Sequence, residues 1–472
     1  MKHTRILPAM LRSAMQAGLL LIALLAAAAV ALPSLRGATI TVVNTSDNGP
    51  GSLRQALADA VDGDTVNFDS SLNGQAITLT SGQLLVNKSI TITGPGADQL
   101  RLLRSTTLGT PEFRIFYISS GNTVTISGLS ISGGHVPSDF GGGIYNDQNS
   151  NLTLNSCEVS GNVGAAGAGI FSRNATLTIN DSTVGPNLAS SDGGGICNSG
   201  SLSGGAATLT INNSNVSSNW SSSGFGGGIF NGGFSSGSAT LTVTNSILMG
   251  NRAIFGGSIY NDGDSSGNAV LTISNSTLSI NSADTNGGGI YSNGISGNAS
   301  LTVNNCTFSG NWAPNGSGII NDGRNLGAAT LTIGNTILNV GPAGAGATLI
   351  NNSGTITSRG YNLSSDNASA YLNATGDQNS TDPMLGPIQD NGGPTLTYGL
   401  LTGSPAIDAG DPNFTPPPDY DQRGPGYPRV LGNRVDIGSF EAQATPAPTP
   451  SPTPTATPRG HRQPHPHPTP RR

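Results

Sequence analysis

The stretch "GGGIYN" at 141–146 decides the fold, because six variants of it follow along the chain. The variants are "GAGIFS" at 167–172, "GGGICN" at 193–198, "GGGIFN" at 226–231, "GGSIYN" at 256–261, "GGGIYS" at 287–292 and "GSGIIN" at 316–321. Glycine loses more conformational freedom on folding than any other residue, so glycine clusters need a structural reason. Sharp corners that need a positive φ, and close contacts between neighbouring backbones, are such reasons. Burial of the Ile that follows offsets the conformational entropy that glycine loses. Each copy therefore predicts a tight corner that leads into a strand.

A second element follows each corner and alternates apolar and polar residues, as in "TLTIN" at 176–180. An alternation of period two predicts a strand with one buried face. Leu and Ile or Val should point inward, and the Thr between them should point outward. The outward residues are Thr153, Thr178, Thr210, Thr242, Thr272, Thr302 and Thr332.

A third element comes next, as in "NSNVS" at 213–217, with a small residue and then an apolar one on the inner face. In the first six units it ends at an Asn that lies ten residues after the first Leu of the second element. These residues are Asn162, Asn187, Asn219, Asn251, Asn281 and Asn311. Asn tolerates a left-handed backbone and can form hydrogen bonds from copy to copy, so we expect a fixed corner and a structural ladder here.

The segment between the glycine motif and the second element varies in length. Its Ile and the first Leu of the second element are 7 to 13 residues apart. The Ile residues form a second expected ladder, which comprises Ile144, Ile170, Ile196, Ile229, Ile259, Ile290 and Ile319. Three short strands per 25–33 residues, with one fixed and one variable corner, predict an all-β fold. The expected architecture is a right-handed, single-stranded parallel β-helix whose coils stack about 4.8 Å apart.

The three cysteines are expected to be free, buried thiols. Cys157 and Cys306 hold the same repeat position five coils apart, about 24 Å at the strand spacing. A disulfide needs Cα atoms within about 7 Å. Cys197 lies on the first strand of its coil rather than the third.

Residues at the N-terminus are typical of an export signal. Lys2, Arg5 and Arg12 precede an apolar run from 17 to 32, and small residues at 29–31 provide a cleavage site. An uncleaved anchor is the alternative, although the run is shorter than the roughly 20 residues that span a membrane. We therefore expect an exported protein located outside the cell, at the cell surface or in the outer envelope.

The segment "GSLRQALADAV" at 51–61 predicts a short amphipathic helix with Ser52 as its N-cap. Leu53, Ala56, Leu57, Ala60 and Val61 should share its apolar face. Such a helix can cover the open end of a β-helix. About three early coils should follow it, then the seven regular ones, then one or two more near 347–372.

Composition restricts the partners. Acidic residues outnumber basic ones by 26 to 20, and the net charge is −6, which argues against nucleic-acid binding. The last segment, 444–472, is rich in Pro and Thr and predicts a disordered, extended tail.

Three motifs resemble known families of exported bacterial proteins. The segment "VNTSDNGPGSLRQALADAVDGDTVNF" at 43–68 resembles the N-terminal cap of exported β-helix proteins, and "GGGIYN" with its closing Asn is similar to repeats of chlamydial polymorphic outer membrane proteins. "DPMLGPIQDNGGPTLTYGLLTGSPAIDAGD" at 382–411 resembles a closing module called choice-of-anchor Q. These resemblances imply a pectate-lyase-like solenoid in an adhesin-like surface protein, and they imply no particular reaction.

The expected organisation has five parts. They are a signal peptide at 1–38, an N-terminal cap with the first coils at 39–140, regular repeats at 141–372, a closing module at 373–443 and the tail at 444–472.

Acidic residues in the body do not form an evident catalytic set. Asp147, Asp262 and Asp322 share a repeat position on different coils, so polar turn residues explain them better than catalysis, and no catalytic residue is assigned. The closing module combines six carboxylates with Arg423, Arg429 and Arg434, which predicts an ion-paired structural lock. Calcium is the alternative, with Asp408, Asp411, Asp421 and Asp436 as candidate ligands.

Three functions remain open at this point. A structural or adhesive surface protein that binds extended ligands such as polysaccharide fits the repeated, variable loops best. A polysaccharide lyase or glycoside hydrolase is the alternative, because β-helices often carry such enzymes, although fold alone is a weak argument for function. Ice binding is a further alternative, suggested by the stacked Thr residues, which exposed strands also favour. The sequence leaves the oligomeric state open.

Overall fold

The computed structural model describes residues 37–201 and 204–443. The predicted export signal, except for its last two residues, and the Pro-rich tail lie outside the described residues. The compact unit to which the coils belong ends at Ala442.

The chain winds as a right-handed parallel β-helix, as the repeats predict, and each turn adds one strand to each of three long sheets. Sheets A, B and C have 12, 11 and 10 strands, so the column has about eleven turns. Chain order within a regular turn is A, B and C, and the variable segment then leads back to A.

Sheet A has twelve strands. They are Thr39–Val42, Thr65–Phe68, Thr91–Thr93, Thr123–Ser127, Asn151–Asn155, Thr176–Asn180, Ala206–Asn212, Ser238–Thr244, Asn268–Ser274, Asn298–Asn304, Ala328–Gly334 and Thr355–Ser358. Sheet B comprises Gln75–Leu79, Leu100–Arg104, Ser130–Ser132, Glu158–Ser160, Thr183–Val184, Asn215–Ser217, Ile247–Met249, Thr277–Ser279, Thr307–Ser309, Ile337–Leu338 and Leu363–Ser364.

Sheet C comprises Leu84–Val86, Phe116–Ile118, Ile144–Asn146, Ile170–Arg173, Ile196–Ser199, Ile229–Gly232, Ile259–Asp262, Ile290–Asn293, Ile319–Asp322 and Leu349–Asn352. A fourth sheet, sheet D, lies between B and C in six turns. Its strands are His135–Val136, Val163–Gly164, Leu188–Ala189, Trp220–Ser221, Arg252–Phe255 and Ser282–Asn286. The three-strand prediction missed sheet D, because most of its strands are two residues long and show no alternation.

The core consists of files of identical or similar residues. Leu177 pairs with Leu209, and Leu209 pairs with Leu241, all without solvent exposure. The seven Ile residues of the glycine motifs pair in the same way along sheet C and are likewise buried. The Thr between the inward residues of sheet A is half-buried on the outer face, as predicted.

The glycine corners have the geometry that their composition predicts. The first glycine of every motif copy has a φ between 53° and 68°. The second glycine makes close backbone contacts: a Cβ on Gly227 would lie 2.4 Å from the carbonyl oxygen of Arg252 in the next coil. Side chains would therefore prevent the coils from stacking at these positions.

The corner that ends sheet B differs from the prediction in one respect. Asn219 and its equivalents do not adopt the left-handed conformation. The preceding residue does in five turns, at Gly161, Ser218, Gly250, Ile280 and Gly310. The Asn side chains instead point into the column and are linked, because Nδ2 of each donates to Oδ1 of the next at 2.9–3.0 Å.

One α-helix, α1 (Leu53–Asp59), precedes the second strand of sheet A, and the side chain of Ser52 caps it by accepting a hydrogen bond from the Gln55 backbone. A 3-10 turn occupies Ser70–Leu72. The apolar face of α1 is buried as predicted, except for Val61, which is 57% exposed. That prediction was wrong because the helix ends at Asp59 and Ala60 is already extended.

Residues after the last turn fold back over the side of the column. They include an antiparallel hairpin, Leu385–Gln389 with Thr397–Leu400. Ile437 and Ala406 pack on Ile337 and Leu363 of sheet B in a small separate core. The outer face of late sheet B is therefore covered, whereas its earlier strands keep a half-exposed outer face.

Candidate functional site

A groove of about 700 Å³ lies beside sheet A in the later turns. One wall is the outer edge of sheet A and the corner between sheets A and B. The other wall is the segment 411–418, which belongs to the part of the chain that folds back. The groove is therefore built from repeats on one side and from an irregular loop on the other.

The corner between sheets A and B is a column of left-handed residues. Asn245, Asn275, Asn305 and Asn335 have φ values between 49° and 52°, and all four line the groove. Asn tolerates this conformation better than most residues. The sequence does indicate this corner, because the first residue of every third element is Asn, Asp or Ser. The Asn residues that end the third elements recur more regularly, and the left-handed corner is therefore predicted there.

The amides of this column are only partly used. The Nδ2 of Asn275 donates to Oδ1 of Asn245 at 2.6 Å, and that of Asn335 donates to Oδ1 of Asn305 at 2.8 Å. The amide oxygens of Asn275 and Asn335 are buried and have no hydrogen-bond partner. Such an acceptor normally has a protein or water partner, and because these oxygens are buried, a ligand could reach them only if the amides turned towards the groove.

Two aromatic rings and two charged groups complete the lining. Phe414 is half-buried in the turn that Asp411 starts, where the Asp411 carboxylate accepts a hydrogen bond from the Asn413 backbone. Tyr361 lies on the sheet side, next to Arg359, which is the second charged group of the lining. Arg434 lies outside the lining, with its guanidinium 5.3 Å from the Tyr361 ring centroid. Amides, hydroxyls and apolar ring faces in one open groove match the chemistry of a neutral sugar chain.

The segment that carries one wall is fixed to the column by buried polar contacts. The hydroxyl of Thr277 donates to Oε1 of Gln422 at 2.6 Å, and the Ser439 backbone donates to the hydroxyl of Thr307 at 3.1 Å. The buried Arg429 donates to Oδ1 of Asn305 and to the carbonyl of Gly438. The loop at 411–418 therefore belongs to a module that is tied to several coils.

The charged groups of this module combine one ion pair with other contacts. Arg423 pairs with Asp421 at 2.6 Å, and its guanidinium lies 4.0 Å from the ring centroid of Tyr427 and 3.8 Å from that of Phe440. Arg429 and Arg434 donate mainly to backbone carbonyls. The predicted lock thus contains the Arg423–Asp421 ion pair together with many hydrogen bonds to backbone carbonyls.

The four candidate calcium ligands do not converge on one point, and three of them already accept hydrogen bonds or pair with an Arg. Asp421 pairs with Arg423, Asp436 accepts hydrogen bonds from the backbones of Asp408 and Ala442, and Asp411 lines the groove. The structure places no three His, Cys, Asp or Glu side chains of the described residues together as a metal site.

Burial changes the pKa values of the module. Desolvation, together with the nearby charge of Asp436, raises the pKa of Glu441 to about 8. Burial also raises the pKa of Asp436 and lowers that of Arg429. The module therefore contains carboxyl groups that hold a proton more tightly than they would in water.

The Asp residues at or just after the ends of sheet C strands lie beside stacked aromatic side chains, namely Tyr117, Tyr145, Phe171, Phe230, Tyr260 and Tyr291. The hydroxyl of Tyr117 donates to Asp147 at 2.7 Å, and that of Tyr291 donates to Asp322 at 2.6 Å. Burial raises the pKa of Asp262 to about 6. Asp322 is fully buried and is held by Arg324. Each of the three carboxylates thus has its own protein partners, and no two of them lie together around one substrate bond.

The cysteines are free and buried, as expected. Burial raises the pKa of all three thiols, that of Cys306 to about 12, which keeps them protonated and unreactive at neutral pH.

No helix of the described residues has the length and apolar character needed to cross a membrane.

The fold and the groove define the class of this protein as a right-handed parallel β-helix with a folded-back closing module. No protein-family model matches the chain, and no curated protein is significantly similar to it. The resemblance to outer-membrane repeats and to choice-of-anchor modules therefore stays a prediction.

Several solved β-helix structures are similar at low identity. The pectate lyase Pel9A is 15% identical with a TM-score of 0.45, and the match covers 86% of this chain and 97% of that one. The Dettilon tailspike protein is 11% identical with a TM-score of 0.44 and 69% of this chain covered, and a mutant of the PL6 family alginate lyase AlyGC is 13% identical with a TM-score of 0.39 and 87% covered. The match spans 62% of the tailspike chain and 60% of the alginate lyase chain.

Proposed function

We propose that this protein binds an extended, neutral polysaccharide in the groove between sheet A and residues 411–418. The observation that carries the proposal is the lining of that groove, which combines two aromatic rings with a column of Asn, Thr and Ser side chains along stacked coils. A groove that runs along stacked coils presents similar groups at each rung, so it suits a ligand that is itself a repeat.

The binding is non-catalytic in this proposal. General acid–base cleavage of a glycosidic bond needs two accessible carboxyl groups near the same bond. Asp411 is the only carboxylate among the groove residues of the described chain. Cleavage of the bound polysaccharide by the protein would therefore favour the lyase or hydrolase alternative.

A glycan array with the folded protein tests the proposal, followed by titration of the best ligand against two variants. Phe414→Ala removes a ring from the groove and should weaken binding about fivefold, since loss of one stacked ring is worth about 1 kcal/mol. Trp220→Ala is the matched control, because Trp220 is an exposed aromatic residue on sheet D, away from the groove. Binding that is absent, or equally reduced in both variants, would refute the groove as the site.

The same ligands should be recovered intact after incubation with the protein. New reducing ends or unsaturated sugar ends that depend on the protein would contradict the non-catalytic proposal and support a lyase or hydrolase.

We further propose that the protein is exported and acts at the cell surface or in the outer envelope. Support comes from the basic start and apolar run of residues 1–38, and from the long, regular shape of a repeat column that can present its side to a partner. Fusion of residues 1–38 to a reporter enzyme that is active only after export tests this directly. An inactive reporter that stays in the cytoplasm would contradict it.

A further inference from the structure

The outer face of sheet A carries one unbroken column of twelve threonines. Each member pairs in register with the next one, and no bulge interrupts sheet A. The members are Thr39, Thr65, Thr91, Thr125, Thr153, Thr178, Thr210, Thr242, Thr272, Thr302, Thr332 and Thr357. Seven of them follow from the sequence repeats, and the other five become visible only through the strand register.

General preference for threonine on strands does not explain this column. Val, Ile and Tyr suit an exposed strand equally well. The neighbouring column, two residues earlier on each strand, does vary: Asn151, Val270 and Ser300 occur there among threonines. A hydroxyl and a methyl group at every rung therefore reflect a requirement of this face rather than of the fold.

The hydroxyl groups of the column are uncommitted. Among the described residues, no hydrogen bond to a protein group involves a side-chain hydroxyl of these twelve threonines. The next column behaves differently, because Asn155, Asn180, Asn212 and Thr244 are linked to one another by side-chain hydrogen bonds of 2.6–3.0 Å. The threonine hydroxyls are thus free to bond to something outside the protein.

The face is also uncharged. Neither flanking column contains a charged residue along its paired length. It also lacks the aromatic side chains that sugar rings stack on. Groups recur about 4.8 Å apart between rungs and about 6.7 Å apart along a strand. A two-dimensional lattice of hydroxyl and methyl groups complements a crystalline partner better than a flexible chain.

We propose that the outer face of sheet A binds ice. The methyl groups order the adjacent water and the hydroxyl groups hydrogen-bond to it, so the face presents a water layer with a regular spacing. Segment 411–418 borders the column at Thr272 and Thr302. The open part therefore extends from Thr39 to Thr242, about 34 Å at the strand spacing.

This inference goes beyond polysaccharide binding and is independent of it. The two sites share the border at Thr272 and Thr302, but Phe414 belongs only to the groove and Thr210 only to the open array. Variants of these two residues therefore separate the two functions.

The test is thermal hysteresis and adsorption to ice of the folded protein. Thr210→Tyr places a large ring in the middle of the array and should remove most of both activities, because a protruding group lifts the face off a flat partner. Thr183→Tyr is the matched control, since Thr183 is a half-buried threonine on sheet B one turn away. Phe414→Ala should keep full ice activity. Circular dichroism must show that all variants keep the wild-type fold.

Three results would overturn the proposal. The folded wild type could show neither hysteresis nor ice adsorption. Thr183→Tyr could reduce the activity as much as Thr210→Tyr. Finally, Thr210→Tyr could abolish binding to the polysaccharide found on the array while ice adsorption is absent, which would assign this face to the polymer.

Discussion

Asparagine side chains form two ladders in this chain, one buried inside the column and one half-exposed on the outer face of sheet A. Asn219 lies inside the column, where its side chain bonds to Asn187, Asn251 and the carbonyl of Val184. Asn180 forms a similar chain of amides with Asn155 and Asn212, but on the half-exposed face of sheet A. The same side-chain chemistry should therefore have very different energetic weight.

Replacement of these two residues tests the difference. Asn219→Ala should lower the free energy of unfolding by about 2–3 kcal/mol, because it leaves buried partners unsatisfied. Asn180→Ala should cost less than about 1 kcal/mol, since water replaces the lost hydrogen bonds. Chemical denaturation of both variants measures the two values. Equal costs would mean that the inner ladder contributes no more than surface amides.

At the scale of elements, the glycine corner is the most constrained part of the coil. Gly226 has a φ of +64°, and a Cβ there would lie 2.2 Å from the carbonyl oxygen of Ile229. Gly121 also has a positive φ, of +77°, but a Cβ there would have no neighbour within 4 Å. The two positions differ in packing and share their backbone conformation.

Alanine at these two glycines separates strain from contact. Gly121→Ala should cost about 1 kcal/mol, the penalty of a positive φ alone. Gly226→Ala should cost clearly more, because the backbone of its own corner must also move. The midpoints of thermal unfolding provide the comparison. A similar shift in both variants would show that conformation alone explains why glycine occurs in the motif.

The repeats predict most of these elements because the strands of sheet A alternate clearly, and in the first six regular units the third element ends at a fixed interval after them. Leu209 or Ile229 could be placed in the core from the sequence alone. Sheet D could not, since strands such as Leu188–Ala189 are too short to show a period.

The candidate groove could not be predicted either. Asn275 and Phe414 are far apart in sequence, and they meet only because the closing module folds back along the column. The position of the module is set by contacts such as the hydrogen bond between Thr277 and Gln422, which no local sequence pattern predicts. The threonine column could be predicted only in part. Its members in the regular repeats follow from the sequence, but Thr65 and Thr91 lie in early coils that lack the repeat motif.

At the scale of the whole molecule, the closing module couples stability to pH. The pKa of Glu441 is about 8 in the folded protein and has an ordinary value of 4.5. The folded state therefore binds this proton more tightly than the unfolded chain does. Its contribution to stability is complete below pH 4.5 and is lost as the pH rises through 8.

Glu441→Gln tests this coupling. The amide cannot be ionised, so the fall in unfolding free energy between pH 4.5 and 8 should become shallower than in the wild type. The variant is expected to be less stable in absolute terms, because both carboxylate oxygens accept backbone hydrogen bonds, from Leu431 and Asp436. Denaturation curves across this pH range measure the slope. A slope equal to that of the wild type would contradict the role of Glu441.

The folded-back module also gives the column a mechanical asymmetry. Early turns touch only their neighbours, so a force applied at the N-terminal end should peel them off singly, each releasing about 30 residues, or roughly 100 Å of chain. The module bridges the turns from Asn275 to Asn335, and these must rupture together. Under tension the early turns should therefore extend one at a time at low force, and the turns held by the module should resist until they unfold together.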